Sequence, residues 1–125
     1  MKIIVCGSRS WTDHAAIEAA VPWDDVTEVH HGDANGADHM AGCVARSKGK
    51  LVFPHPANWF LFGNAAGMIR NAQMLEREIP DRVYAFWDGE SHGTAHMIRI
   101  GREKLGDENV IVVHSNKPVE DEVIA

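Results

Sequence analysis

The chain has 125 residues, enough for one compact domain. Hydrophobic residues make up 45%, which excludes a disordered chain. The formal charge of −6, from 12 basic and 18 acidic residues, argues against a general nucleic-acid or anionic-lipid binder but leaves room for a local basic pocket.

No apolar run approaches the roughly 20 residues that span a bilayer. Met1-Lys2 leads straight into a short apolar run without secretory-leader character, so a soluble cytoplasmic protein is expected. The two cysteines, Cys6 and Cys43, read as buried, reduced thiols.

Ile3-Ile4-Val5-Cys6 is continuously apolar and mostly β-branched, the pattern of a central strand covered on both faces. Thr12 and Asp13 are placed to cap a helix running to about Val21, before Pro22. Residues 26–31 form the second predicted strand. Ala37, Met40, Ala41, Val44 and Ala45 share one helical face, with Gly49 as the stop signal.

Leu51-Val52-Phe53 is a short third strand closed by Pro54 and Pro56. A connection over 57–64 carries Trp59, Phe60 and Phe62. Ala65, Met68, Ile69, Ala72 and Leu75 then mark a helical face that ends before Pro80. Residues 83–87 form the fourth strand, and a helix spans about Thr94 to Leu105 with Met97, Ile98, Gly101 and Leu105 inward. Residues 110–113 form the fifth strand.

Strands that alternate with helices must run parallel, with right-handed crossovers. The expected fold is therefore α/β: a single Rossmann-like three-layer sandwich with a parallel sheet of about five strands. It occupies residues 1–114, and 115–125 read as a polar acidic C-terminal tail.

In such sheets ligands bind beyond the carboxyl ends of the strands. Three glycine-rich loops belong there: Gly7 to Ser10, Gly32 to Asp38, and Gly89 to Thr94. A fourth segment runs from Asn64 to Asn71. Glycine admits close backbone approach, and free amides at a helix start attract anions. Gly93-Thr94 before a helix reads as a phosphate cradle. Arg9, three residues past a buried strand, starts near the crevice. Arg70 is the second candidate cation, and both are expected to serve binding rather than folding. Asp38 is either a site residue or merely a first-turn helix charge, which the helix dipole favours. Trp59 and Trp87 are core or interface residues, or platforms for a base.

Among the eight histidines, His92 and His96 are spaced i, i+4 and His30-His31 ends a strand. No carboxylate or thiolate is spaced to complete a set, so no metal is expected. The dinucleotide Gly-x-Gly-x-x-Gly, the P-loop lysine and the Gly-x-Ser-x-Gly elbow are all absent.

The segment Lys2 to Asp13, with Cys6-Gly7-Ser8-Arg9-Ser10-Trp11, resembles the opening of the YspA-like (YpsA-related) branch of the SLOG superfamily. So does His31-Gly32-Asp33-Ala34-Asn35-Gly36-Ala37-Asp38. Ala57-Asn58-Trp59 with Gly63 to Asn71, and Asp88 to Thr94, are similar to its later motifs. The resemblance spans roughly residues 2 to 114.

It implies a Rossmann-like domain that binds nucleotides or nucleotide-derived ligands, ADP-ribose-like molecules included. Relatives include the lonely-guy phosphoribohydrolases, DNA-processing proteins, molybdenum-cofactor carriers and sensor domains. It implies Gly7, Ser8 and Arg9 as the first phosphate-facing loop, and Gly32, Gly36 and Asp38 as the second. Arg70 and Asn71 belong to the third, and Gly89, Gly93 and Thr94 to the fourth.

The phosphoribohydrolases carry a catalytic glutamate three residues after the threonine. Here that residue is Met97, which neither accepts a proton nor stabilises a cation. A binding module (sensor, carrier or sequestering protein) is therefore the first expectation. A nucleotide N-glycosidase or related hydrolase using Asp38, Asp88 or Glu90 is the alternative. A DNA-binding role comes third. Crowding of Trp59, Phe60 and Phe62 in one connection suggests a homo-oligomer.

Overall fold

The computed structural model describes residues 1–115, so the tail from 116 onward lies outside the described residues. Five strands form one parallel sheet in the order β3-β2-β1-β4-β5. They are β1 (Lys2–Gly7), β2 (Glu28–His31), β3 (Leu51–Pro54), β4 (Arg82–Trp87) and β5 (Val110–His114). The helices are α1 (His14–Ala20), α2 (Ala37–Ser47), α3 (Trp59–Phe62), α4 (Ala66–Glu78) and α5 (His92–Leu105). No helix among the described residues is long and apolar enough to cross a membrane.

The chain moves one way across the sheet from β1 to β3, then returns to place β4 on the other side of β1. Right-handed crossovers in opposite directions put their helices on opposite faces. Alternate strand residues follow. Ile3, Val5, Tyr84 and Phe86 pack with Ile17, Ala41 and Val44 on the α1–α2 side. Ile4, Cys6, Val83 and Ala85 pack with Met74, Leu75, Met97 and Ile98 on the α4–α5 side. The reversal of strand order at β1 and β4 opens a crevice at their carboxyl ends.

Several expectations are corrected. Asp13, not Thr12, caps α1, its Oδ1 accepting from the Ala16 amide at 3.0 Å. Residues 23–25 form a turn of 3-10 helix, so β2 starts at Glu28. Pro54 extends β3, which an edge strand tolerates. The connection before α4 contains α3, capped by Asn58.

The inward stripe of α4 is Ala66, Asn71, Met74 and Leu75 rather than the purely apolar set. Ala65 and Ala72 are exposed, as is Met68. A helix bordering a polar crevice buries polar residues that hydrophobic periodicity does not count. Cys43 is exposed and only Cys6 is buried.

Gly7 sits where β1, β4 and α2 meet. A Cβ there would lie 2.4 Å from Ala37 Cβ and 2.5 Å from the Phe86 carbonyl oxygen. Both neighbours belong to regular elements and have no free side chain to move aside. Gly7→Ala is expected to destabilise the fold by about 1–3 kcal/mol or more. A lowered urea midpoint with an unchanged slope is the expected result.

Candidate functional site

A cleft of about 470 Å³ opens at the carboxyl ends of β1, β2 and β4. Its walls include Gly7, Arg9, Gly32, Asp38, Arg70, Asn71, Gly93 and Thr94 from the sequence-derived set. Ser8, Gly36 and Gly89 do not line it.

Ser8 is buried behind the wall. Its amide donates to the Phe86 carbonyl (2.9 Å), and its hydroxyl accepts from the Asp88 amide (3.0 Å). It therefore joins the first loop to the fourth. Gly36, at φ +78°, lets the second loop press on the first: a Cβ there would meet the Arg9 and Ser8 carbonyls at 2.4 and 2.5 Å. Gly89, at φ +85°, supplies a turn and faces open space.

The second loop is built around Asp38, 4% exposed in the first turn of α2. Its Oδ2 accepts from the amides of Gly32 (2.9 Å) and Ala34 (3.3 Å). Burial raises its pKa to about 6 against the lowering effect of the Ala34 amide and Arg70. Asp33 holds a left-handed φ of 58° there. Its amide donates to Nδ1 of His31, whose pKa burial lowers to about 4, so that ring is a neutral acceptor.

Arg70 crosses from α4 to this loop. Nη1 donates to the carbonyls of Gly32 and His55, the latter at 3.2 Å, and Nε donates to Asn71 Oδ1 at 3.0 Å. Nη2 makes no hydrogen bond among the described residues. Asn71 Nδ2 in turn donates to the Gly93 carbonyl at 3.1 Å, tying α4 to α5. Arg9 is exposed and lies over the Trp59 ring, 5.9 Å from its centroid. It has no ion pair among the described residues. Trp59 is half-exposed and borders the cleft.

The helix α5 begins two residues earlier than expected, so Gly93 and Thr94 lie in its first turn. The first helical bond runs from the Ala95 amide to the Ser91 carbonyl, and Ser91 offers no side-chain cap. The amides of residues 92–94 thus have no hydrogen-bond partner among the described residues, at a helix start where the dipole favours an anion. Thr94 Oγ1 lies 3.2 Å from Ser91 Oγ, so its hydroxyl has an internal partner.

Asp88 occupies the neighbouring loop. Its Oδ1 accepts from the amides of Glu90 and Ser91, both at 2.9 Å, and those bonds hold its pKa below the ordinary carboxylate value. Glu90 is exposed and lies outside the cleft wall. Trp87 donates its indole N–H to the Ser91 carbonyl (3.0 Å), a loop-bracing role.

Gly67 and Met68 line the cleft within the 64–71 segment without having been singled out there, and Met74 lines it from outside that segment. A methionine at helical spacing signals core, yet Met68 is exposed and lines the opening. Gly67 lies against Trp59: a Cβ there would stand 3.5 Å from its ring.

A family model described as YAcAr, the YspA, cpYpsA-related SLOG family, matches residues 1–62. The Gene 61 protein of Mycobacterium phage D29 is 35% identical over 113 residues, covering 78% of this chain and 86% of that protein. The chain belongs to this SLOG family.

Family membership brings nucleotide-related binding or processing as its functional setting. The structure also changes the meaning of Met97. That side chain is 0% exposed and packs between α5 and the sheet. Position 97 therefore faces the core here, and a carboxylate at it would be buried among apolar groups, away from the cleft.

The raised Asp38 pKa has a defined sign. The folded state holds this proton more tightly than the unfolded chain, so its contribution to stability falls as pH rises from 3.8 to about 6. Asp38→Asn removes the titration. The stability of wild type relative to this variant is expected to drop by roughly 1.4 kcal/mol for each pH step of one across that window. Denaturant titrations from pH 3.5 to 7.5 check this, and a difference that grew with pH would contradict it.

Proposed function

We propose that the cleft binds a phosphate-bearing nucleotide or nucleotide-derived ligand, such as an ADP-ribose-like molecule, and acts as a sensor, carrier or sequestering module. One observation carries this reading. Arg9, Arg70 and the first-turn residues of α5, 92–94, line one cleft, and the amides of those three helix residues make no hydrogen bond among the described residues. The nearby carboxylates are largely engaged: Asp38 Oδ2 and Asp88 Oδ1 each accept two backbone amides. An anion from solution supplies the missing negative charge. Trp59, half-exposed beside Arg9, adds a flat face on which a base stacks.

A hydrolase remains the second reading because of Asp38 alone. Its Oδ1 makes no hydrogen bond among the described residues, and its raised pKa suits a proton donor or acceptor near neutrality. Incubation with nucleoside monophosphates and NAD, followed by chromatography, separates the two. Cleavage abolished by Asp38→Asn would replace the binding reading. DNA binding is disfavoured by the formal charge of −6, and retardation of single-stranded DNA at low salt would reverse that.

Calorimetry against nucleoside mono- and diphosphates and ADP-ribose tests the proposal directly. Absence of heat with every one of them would end it. Arg9→Ala is expected to weaken binding about 10–100-fold, as loss of a charged hydrogen bond does, with stability unchanged. Arg70→Ala is expected to lose affinity and stability together, because Arg70 also links Gly32 and His55.

We also propose that the chain self-associates through α3, where Phe60 is 102% and Leu61 66% exposed. Sedimentation should show a concentration-dependent oligomer that Phe60→Ser reduces. A wild-type monomer at high concentration would dismiss it.

A further inference from the structure

Beside the edge of the sheet, on its α4 side, three side chains distant in sequence come together. His30 lies on β2, His55 follows β3, and Glu78 is the last residue of α4. One ligand atom from each lies within 4.8 Å of the other two. His30 is 3% exposed, while His55 and Glu78 are half-buried.

The two nitrogens of His30 are in different situations. Nδ1 is 2.8 Å from His55 Nε2, a hydrogen bond. Nε2 is buried and has no hydrogen-bond partner among the described residues. Two carboxylate oxygens stand near it, Oε1 of Glu28 at 3.6 Å and Oε1 of Glu78 at 3.7 Å. Those separations are too long for hydrogen bonds. They are close to the edge of a coordination tetrahedron, roughly 3.3–3.6 Å for bonds of about 2.0–2.2 Å.

We propose that His30, His55 and Glu78 form a binding site for a divalent transition-metal ion of the zinc class. Two imidazoles and a carboxylate are a donor set that suits such an ion. Glu28 stands ready as a further oxygen donor. Binding exchanges the His30–His55 hydrogen bond for metal–nitrogen bonds, and the half-buried His55 follows the edge strand directly.

Lys2 is the competitor. Its ammonium lies 3.3 Å from Glu28 and 3.6 Å from Glu78, and donates to the Glu78 carbonyl at 3.0 Å. Metal entry displaces this ammonium from the carboxylates. Its four-carbon stem and 32% side-chain exposure let it swing into solvent.

The site has a connection to the cleft. Arg70 donates to the carbonyl of His55 itself and to that of Gly32, two residues beyond His30. A metal holding both histidines would fix both carbonyls and so the Arg70 guanidinium. This role is independent of what the cleft binds.

The test uses chelator-treated full-length protein and zinc or cobalt ions alone. Calorimetry should give one equivalent of Zn²⁺, and Co²⁺ should develop visible d–d absorption of a nitrogen–oxygen site. His55→Ala and Glu78→Gln should each weaken binding by at least the roughly 10–100-fold that loss of an outer-shell partner costs. Lys2→Met should tighten it.

Should a variant unfold by circular dichroism, wild-type NMR decides: substoichiometric Co²⁺ should perturb amides at 30, 55 and 78 before those of the other histidines. No stoichiometric binding, unaltered affinity in folded His55→Ala and Glu78→Gln, or perturbation centred elsewhere would overturn the proposal.

Discussion

At the α-carbon of Gly7, Ala37 and the Phe86 carbonyl leave room for a hydrogen only. That close approach brings the start of α2 against the ends of β1 and β4. It also puts the next residue at a junction. Ser8 receives the amides of Trp11 and Ala37 on its carbonyl and that of Asp88 on its hydroxyl, while its own amide reaches Phe86. Three chain segments are thereby held within hydrogen-bond range of one buried residue. The second loop can press on this turn only because Gly36 lacks a side chain. The cleft exists because these segments pack tightly behind it, so the glycines serve the wall more than the ligand.

The electrostatics of the wall follow from the same packing. Asp38 is buried by the α2 approach, and its carboxylate is spent on ordering the Gly32–Ala34 backbone. Arg70 is drawn in from the opposite helix and anchored to carbonyl oxygens, which carry no net charge. Asp88 caps its own loop amides. Much of the negative charge near the cleft is thus engaged internally, while positive charge from Arg9, Arg70 and the α5 start remains. A protein of net negative charge can hold an anion in this way, because the field inside a cleft is set by near groups rather than by the sum over the surface.

Two roles assigned by motif moved once the neighbours were visible. Ser8 and Asn71 belong to the motifs, yet each is nearly completely buried and uses its polar atoms on other loops or helices. Arg70 combines a cleft position with a bracing one. Met97 is a core residue whose replacement by an acid would not by itself restore a catalytic group to the opening. The assembly of His30, His55 and Glu78 is the clearest case of a feature with no linear signature. Its members come from a strand, a loop and a helix end, and only the β2–β3 pairing and the α4 packing bring them together.

The sequence by itself determined the α/β class, the positions of the five strands along the chain and the loops expected at one sheet edge, whereas their order in the sheet came from the tertiary structure. Local rules suffice there: apolar runs mark central strands, helical periodicity marks covers, and glycine marks close turns. It also marked Arg9, which lies two residues past the end of β1, and Arg70, which falls in the segment similar to a family motif. Only the tertiary structure decided which of the marked residues face the cleft. Side-chain direction depends on helix tilt and on long-range hydrogen bonds, and a polar residue buried to join two loops is written in the same letters as one exposed to bind a ligand.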